Sequence, residues 1–559
     1  MAGAPDLPQV AAVQLVWLVT FEGDRVLRWT SADVVVEVAG APVACRWGLA
    51  VDDQVESLDD RPTGATVAFP WPVDLDLADL WRHLQGATAE LALVAVDAAG
   101  VCQWEERLVC AGGPVRDVEV DVDARVVSVQ LDDPERLDRG DLCPPATVVS
   151  RTTWPLAKEE VWGAKIPWVY GAPGSFAFET VTDADEIWFF DYSQPEWWLD
   201  PQWKVGNEQR TTGATPAVPV DLEIMELDPY GDGSLLIEVP YLPRYLAVSS
   251  GLVEAATVKL WLKTDTAGWT TYDADVIEAF DGRGERVSLA VLEDAPTSVR
   301  AAGEWWVGWS DGGGYRAASP AVAQGALGAL IVEVLRRSTA TIDWPSVLRA
   351  AAYLDRYRIG GYVDESISPV QWVTDRARPF GAVPRWSSAG FGLVLRHGDA
   401  DPVCALTVGA DVIRSGPVRM IAAEADAVVV TWAANRGSIR RQMRTVARRR
   451  VGEVARSEEL TAAECWDETT AAGVAVVALL DHGQRTEMQV QADALAWWWL
   501  RAGDVVTVAD ADLGWSDAWR IVQARHTDGP WRTLLLRRVE AAPVIVSTAD
   551  DTNAEVSGR

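Results

Sequence analysis

The stretch 117–131, DVEVDVDARVVSVQL, limits the fold more than any other feature of the chain. Valines at 118, 120 and 122 alternate with acids at 117, 119, 121 and 123. Apolar and charged side chains separate cleanly at that spacing only in an extended strand of period two; a helix would mix them. DVVVEV (33–38) and TAELALVAV (88–96) carry the same Val-rich strand character. LADLWRHL (77–84) is the one short helical pattern among them. The first 131 residues therefore read as a β domain. The acid row is expected to be a solvated strand face, with a cation site as the lesser reading.

The apolar run from Val10 to Phe21 is too short to cross a membrane and holds Gln14. The residues before it, MAGAPDLPQ, carry an acid and no base, so it is expected to be a buried strand rather than a secretory leader. The chain has 559 residues, enough for about four domains. Its 49 Lys and Arg against 82 Asp and Glu leave −33, which excludes charge-driven, sequence-independent nucleic-acid binding and a polybasic membrane contact. Six cysteines without a CxxC suggest neither a disulfide framework nor a zinc site, and fit folding in a reducing cytosol.

Residues 132–240 form an expected extended, aromatic-rich connection, with prolines at 134, 144, 145, 155, 167 and 173. A second β region, expected as a barrel, covers 241–317 with TVKLWLK (257–263), VSLAVL (287–292) and EWWVGW (304–309). An α+β unit is expected over 318–400. Leu327, Leu330, Ile331, Val334 and Leu335 share a helical stripe. Asp343 before Trp344-Pro345 and Ser368 before Pro369 look like N-caps. From 401 to 540 the chain reads as β again, with strands at 427–432, 474–480, 504–510, 518–525 and 531–539; 541–559 reads as a loose tail. The fold class is thus mainly β and multidomain.

No motif commits the chain to catalysis. Gly308-Trp309-Ser310-Asp311-Gly312 matches the nucleophile-elbow pattern, but Gly313 and Gly314 follow where a helix is needed, so a hairpin tip is the better reading. The four histidines, His83, His397, His482 and His526, show no metal-binding spacing and read as surface or packed residues. Asp228-Pro-Tyr-Gly-Asp232-Gly233 lacks the remaining ligands of a calcium loop and reads as a turn. No phosphate-cradling glycine loop occurs, and no metal or cofactor is expected.

Two outliers remain. Arg436, Arg440, Arg441, Arg444, Arg448, Arg449 and Arg450 crowd fifteen residues of an otherwise acidic chain and are the candidate interface, contacting another subunit or local acids. The 29 tryptophans are scattered, which favours core and interface use. Stacking on sugars is the competing reading, which would make the chain a Trp-rich carbohydrate-binding protein or glycoside hydrolase. Trp497-Trp498-Trp499 must point to different faces.

The C-terminal segment 500–539 resembles the closing β-barrel of tailed-bacteriophage baseplate hub and tail-tip proteins. Leu500, Gly503, Asp504 and Val506 match its "leucine, x, x, Gly-Asp-x-Val" strand, Gly514 its turn, and Trp519, Arg520 and Ile521 the following strand. The segment 342–396 is similar to the small α+β domain of such proteins, and KIPWVYGAPG (165–174) to their "I-P-x-V-Y-G" stretch. The resemblance implies hub-type β-barrels with an inserted α+β domain, and a non-enzymatic homotrimer with two related barrels per subunit surrounding a DNA exit channel. The implied location is the virion tail, after assembly in the host cytoplasm. The implied partners are distal-ring, tape-measure and tip or fibre proteins, with no sequence-specific nucleic acid and no membrane segment.

Overall fold

The computed structural model describes residues 14–142 and 325–539 apart from short internal breaks. It also describes Gly163, Trp168–Gly171, Ile545–Asp550 and the backbone of a set of strands between 193 and 309. The chain is mainly β and multidomain. Its N-terminal strands form an eight-stranded sheet in the order Arg46–Trp47, Val26–Thr30, Gln14–Glu22, Thr88–Val96, Leu108–Asp121, Val126–Leu131, Thr66–Pro70, Ala50–Val51. Only Gly48 and Leu49 separate the two outermost strands in the chain, so the sheet curls back on itself as a barrel. The amides of Gly48 and Leu49 both donate to the Thr30 carbonyl, at 2.9 and 3.0 Å.

The barrel interior is aromatic. Trp29 stacks on Phe69 with ring centroids 4.0 Å apart and meets Phe21 edge-on at 5.8 Å. The helix Leu77–Leu84, capped by the Asp76 carboxylate on the Asp79 amide (2.7 Å), drops Leu80 and Leu84 into the same core. The strand Gln14–Glu22 is buried on both faces, which explains its unbroken apolar run. Trp17, Val19 and Phe21 face the barrel, while Val16 and Leu18 pack under a small sheet of Val101–Gln103, Val35–Val38 and Ala41–Val43. The acids Asp117, Glu119 and Asp121 lie exposed on their strand, as the alternation predicts.

A second sheet curls in the same way near the C-terminus. Its order is Cys404–Thr407, Val505–Asp510, Trp515–His526, Trp531–Arg538, Arg485–Asp493, Val412–Arg414, and Arg419–Ile421 also pairs with Arg485–Asp493. The outer strands 404–407 and 412–414 are joined by a tight return in which Val408 bridges Val412 and the Gly409 amide donates to the Val412 carbonyl (2.8 Å). Leu500, Val506, Trp519 and Ile521, four residues of the barrel resemblance, are fully buried in its core. Gly503, at φ +96°, makes the turn into the strand 505–510, and its amide donates to Ile521 (2.7 Å).

Between the barrels lies an α+β core built on the helices Leu327–Leu335, Trp344–Leu354 and Pro369–Ala377. Asp343 and Ser368 cap the second and third as expected, accepting from Ser346 and Gln371. Trp168–Gly171 pairs antiparallel with Gly360–Val363, which buries Trp168 and Tyr170 completely. Asp138 ties the preceding connection to two elements: one carboxylate oxygen accepts from the Thr339 amide (2.9 Å), the other from the Val370 amide at the start of the third helix (3.0 Å).

Three expectations are corrected here. The stretch 474–480, expected as a strand, belongs to the helix Glu468–Asp481, started by the Asp467 carboxylate on the Thr470 amide (2.7 Å). It is buried on almost every side, so its apolar run carries no period to distinguish helix from strand. The segment 541–559, expected as a tail, contributes the strand Ile545–Asp550, which pairs with Arg441–Arg448. The α+β core consequently extends past 318–400. It takes in the sheet Ser457–Thr461, Ala427–Ala434, Arg441–Arg448, Ile545–Asp550, which lies against the helix 468–481. Strands between 193 and 309 form a four-stranded, a three-stranded and a two-stranded sheet.

Gly473 in the helix 468–481 faces the buried ring of Tyr357; a Cβ there would lie 2.2 Å from the ring edge. Helix propensity alone favours alanine over glycine by about 1 kcal/mol. Gly473→Ala is nevertheless expected to destabilise the chain by about 1–3 kcal/mol, because the packed ring has no room to retreat. Urea denaturation gives the sign.

Candidate functional site at the junction of the barrels

The two barrels exchange pieces. The strand Gln54–Ser57, from the N-terminal barrel's connection between 51 and 66, pairs antiparallel with the far end of Trp515–His526, Ser57 opposite Gln523 and Gln54 opposite His526. It occupies the edge left where pairing with Val505–Asp510 stops at Arg520. In return, the short helix Ala494–Trp497 and the turn after it cover the N-terminal barrel. Ala494 and Trp498 pack on that barrel's core, while Trp497 and Trp499 pack on the C-terminal one. The three consecutive indoles thus straddle the junction, and their expected divergence has a use.

A buried polar network holds this exchange together. Glu56 accepts from the Arg501 guanidinium, with Nη2 at 2.9 Å and Nε at 3.1 Å from Oε1, and from the Ala502 amide at 3.3 Å. Burial alone would raise the Glu56 pKa, yet Arg501 and His526 hold its carboxyl far below the usual carboxylate range. Glu56 in turn keeps the buried Arg501 charged, above its ordinary value despite burial. Arg532, 2% exposed, donates to the carbonyls of Trp497 (2.6 Å), Trp498 (2.7 Å) and Leu500 (2.7 Å). It therefore satisfies the end of the helix that carries the indoles. His526, 1% exposed, sits between the two charges: its Nδ1 is 3.3 Å from Arg532 Nη2 and its Nε2 3.7 Å from Glu56 Oε2. Burial and then Arg532 push its pKa down to about 4.

The turn of the barrel motif joins this network to the α+β domain. Asp504 accepts from the Arg501 amide (2.9 Å) and from Arg385 (3.0 Å), and Arg520 donates to the Leu395 carbonyl. Burial lowers the Arg520 pKa to about 10. The arrangement fixes three units against one another and presents no nucleophile with an attached base.

The candidate interface arginines are only partly in view. Arg436, Arg440, Arg449 and Arg450 lie outside the described residues, and Arg441 is described by its backbone alone. Arg444 and Arg448 project from the sheet face opposite the helix 468–481: Arg444 pairs with Glu459 (3.1 Å) and Arg448 donates to Ser547 (3.4 Å). Local acids thus take one arginine, and the structure brings neither to the barrel junction.

Other motifs are placed as follows. The strand Glu304–Trp309 leads to Ser310, which with Gly312 lies outside the described residues. Asp228–Gly233, read as a turn, lies outside the described residues. His397 bonds Asp481 (2.7 Å), and His482 lies 3.0 Å from both Glu424 and Glu458. Among the described residues no three acids, histidines and cysteines gather as a metal site, and no helix is long and apolar enough to cross a membrane. The five described cysteines are free thiols; burial raises Cys102, Cys110 and Cys404 to about 12. Trp29, Trp168, Trp372 and Trp519 are fully buried, whereas Trp47, Trp81 and Trp531 are exposed.

Sequence reasoning missed Glu56, Arg501 and Arg532 as functional residues and took His526 for an ordinary packed or surface histidine. One acid among 82 carries no mark in the sequence, and its partners lie about 445 residues away.

The chain matches no family model and no curated protein. Among solved structures it is similar to the 43 kDa tail protein of prophage MuSo2 from Shewanella oneidensis, at 10% identity over 94% of this chain and 98% of that one, TM-score 0.32. It is also similar to a tail protein from Neisseria meningitidis MC58, at 12% identity over 51% and 97%, TM-score 0.24. A chain of the native gene transfer agent virion aligns at 15% identity over 54% and 79%, TM-score 0.33.

Proposed function

We propose that the chain is a structural, non-enzymatic component of a tailed-bacteriophage tail, a baseplate hub or tail-tip protein. In this reading it forms a homotrimer around the DNA exit channel and joins the tail tube or distal ring to the tip. The observation that carries the reading is the pair of interlocked barrels within one chain, with the α+β domain fixed to their junction. Three such chains supply six barrels, the number that lets a threefold tip meet a sixfold tube. A formal charge of −33 per chain, three times over about −99 before counterions, suits a lumen that must not retain phosphates. Arg436, Arg440, Arg441, Arg444, Arg448, Arg449 and Arg450 then face another subunit or a distal-ring, tape-measure, tip or fibre protein rather than the channel.

Light scattering after size exclusion tests this directly. The expected mass is three times 60.8 kDa, and the particles should show a central channel by negative-stain electron microscopy. A monomer or dimer at micromolar concentration with no ring in the images would sink the trimeric hub.

A further inference from the structure

We propose that the barrel junction is a proton-operated latch, in which protonation of His526 releases the strand Gln54–Ser57 and the segment 494–500 while both barrels stay folded. The inference is independent of the tail reading. An arginine side chain can only donate, so the contact from Arg532 Nη2 fixes His526 Nδ1 as an acceptor and leaves the ring's single proton on Nε2. That nitrogen is buried, has no hydrogen-bond partner among the described residues and lies 3.7 Å from Glu56. An arriving second proton has only Nδ1 to occupy, the atom Arg532 already uses. Two cations then stand about 3.3 Å apart between side chains only 1% and 2% exposed, where solvent screens them poorly.

Every charged group around the ring bears on the outcome. Glu56 from the strand 54–57 attracts the new charge, but its oxygens are already engaged by Arg501 and the Ala502 amide. Arg501 and Arg532 repel it from two sides. Asp504 is taken up by Arg385 and the Arg501 amide, and Cys110, on the strand Leu108–Asp121, is held as a neutral thiol by burial. Two guanidiniums against one occupied carboxylate leave the imidazolium unfavoured. The closed junction therefore excludes the proton that an opened one accepts.

The mechanical consequence follows from what Arg532 holds. Displacing it frees the carbonyls of Trp497, Trp498 and Leu500, and with them the anchor of Trp498 on the N-terminal barrel. The sign is that of a group with a depressed folded pKa: the closed state is fully favoured above about pH 6.5, the open-state value, and loses ground as pH falls toward 4. The ratio of open to closed should therefore rise about thirtyfold from pH 7.5 to pH 5.

Hydrogen exchange followed by mass spectrometry on the full chain, corrected for intrinsic rates, reads this out. Protection of 54–57 and 494–500 should fall about thirtyfold over that range, while the strand Thr88–Val96 keeps its protection. In His526→Gln, whose amide oxygen can accept from Arg532 but takes no proton, the fall should vanish. An equal fall in the variant, no fall in the parent chain, or equal loss in Thr88–Val96 would each overturn the proposal. Should the variant not fold, the parent chain still decides. It has four histidines, so carbon-13-labelled imidazoles can be followed one by one. The His526 signal should titrate together with the opening, and titration without opening refutes the latch.

Discussion

Glu56→Gln is expected to cost the folded chain about 3–5 kcal/mol, the range for removing one partner of a buried ion pair. The substitution is nearly isosteric, and the amide oxygen can still accept from the Ala502 amide, so shape and one hydrogen bond survive. What it removes is, among the described residues, the carboxylate in contact with the Arg501 guanidinium, which is 10% exposed. Asp504 does not replace it, because its bond to Arg501 is to the backbone amide. An uncompensated cation then remains in a largely buried site. Urea denaturation should show the loss, with exchange protection falling first in Gln54–Ser57. The double variant Glu56→Gln with Arg501→Met should recover most of the stability, since removing both charges is far cheaper than stranding one. A single variant within 1 kcal/mol of the parent, or a double variant as weak as the single, would show that the pair does not hold the junction.

Trp372→Ala is expected to cost about 3–5 kcal/mol, for a different reason. Trp372 is fully buried on the helix Pro369–Ala377 and meets Trp168 edge-on at 5.8 Å and Tyr170 at 5.2 Å. Trp168 and Tyr170 come from a four-residue strand whose sheet partner among the described residues is Gly360–Val363. Truncating the indole removes the wall against which both rings pack, and the cavity lies under a strand too short to span it unaided. The loss should appear in urea denaturation and as faster exchange in Trp168–Gly171, with the C-terminal barrel unaffected. Loss confined to the barrel instead would place the aromatic cluster in the wrong unit.

The legible parts of the fold are those with local causes. Alternation at 117–131 gives the exposed acidic strand, and Asp343 and Ser368 mark helix starts because a cap is decided within four residues. The Leu500–Ile521 pattern marks a barrel strand pair for the same reason: the turn between its strands, at Gly514, lies inside the motif. The illegible parts depend on distant residues. The helix 468–481 reads as a strand because burial on nearly all sides erases its period; Asp467 with Glu468 was the available signal. Ile545–Asp550 reads as a tail because its partner strand lies about a hundred residues upstream. The junction is the extreme case. Glu56 has an ordinary neighbourhood in sequence, and only the exchange of segments between barrels gives it a role.

That exchange also sets an order of events during synthesis. The N-terminal barrel has all of its eight strands once residue 131 has emerged, but the edge that receives Gln54–Ser57 lies at 523–526, close to the end of the chain. At about 5–20 residues per second the ribosome needs on the order of 20–80 s to make the intervening residues. Throughout that interval a finished barrel carries a strand with no partner, the kind of edge that pairs with the wrong chain. Crowded polysomes should therefore be the place where this protein is lost, and slowing initiation should raise the yield of soluble chain more than slowing elongation.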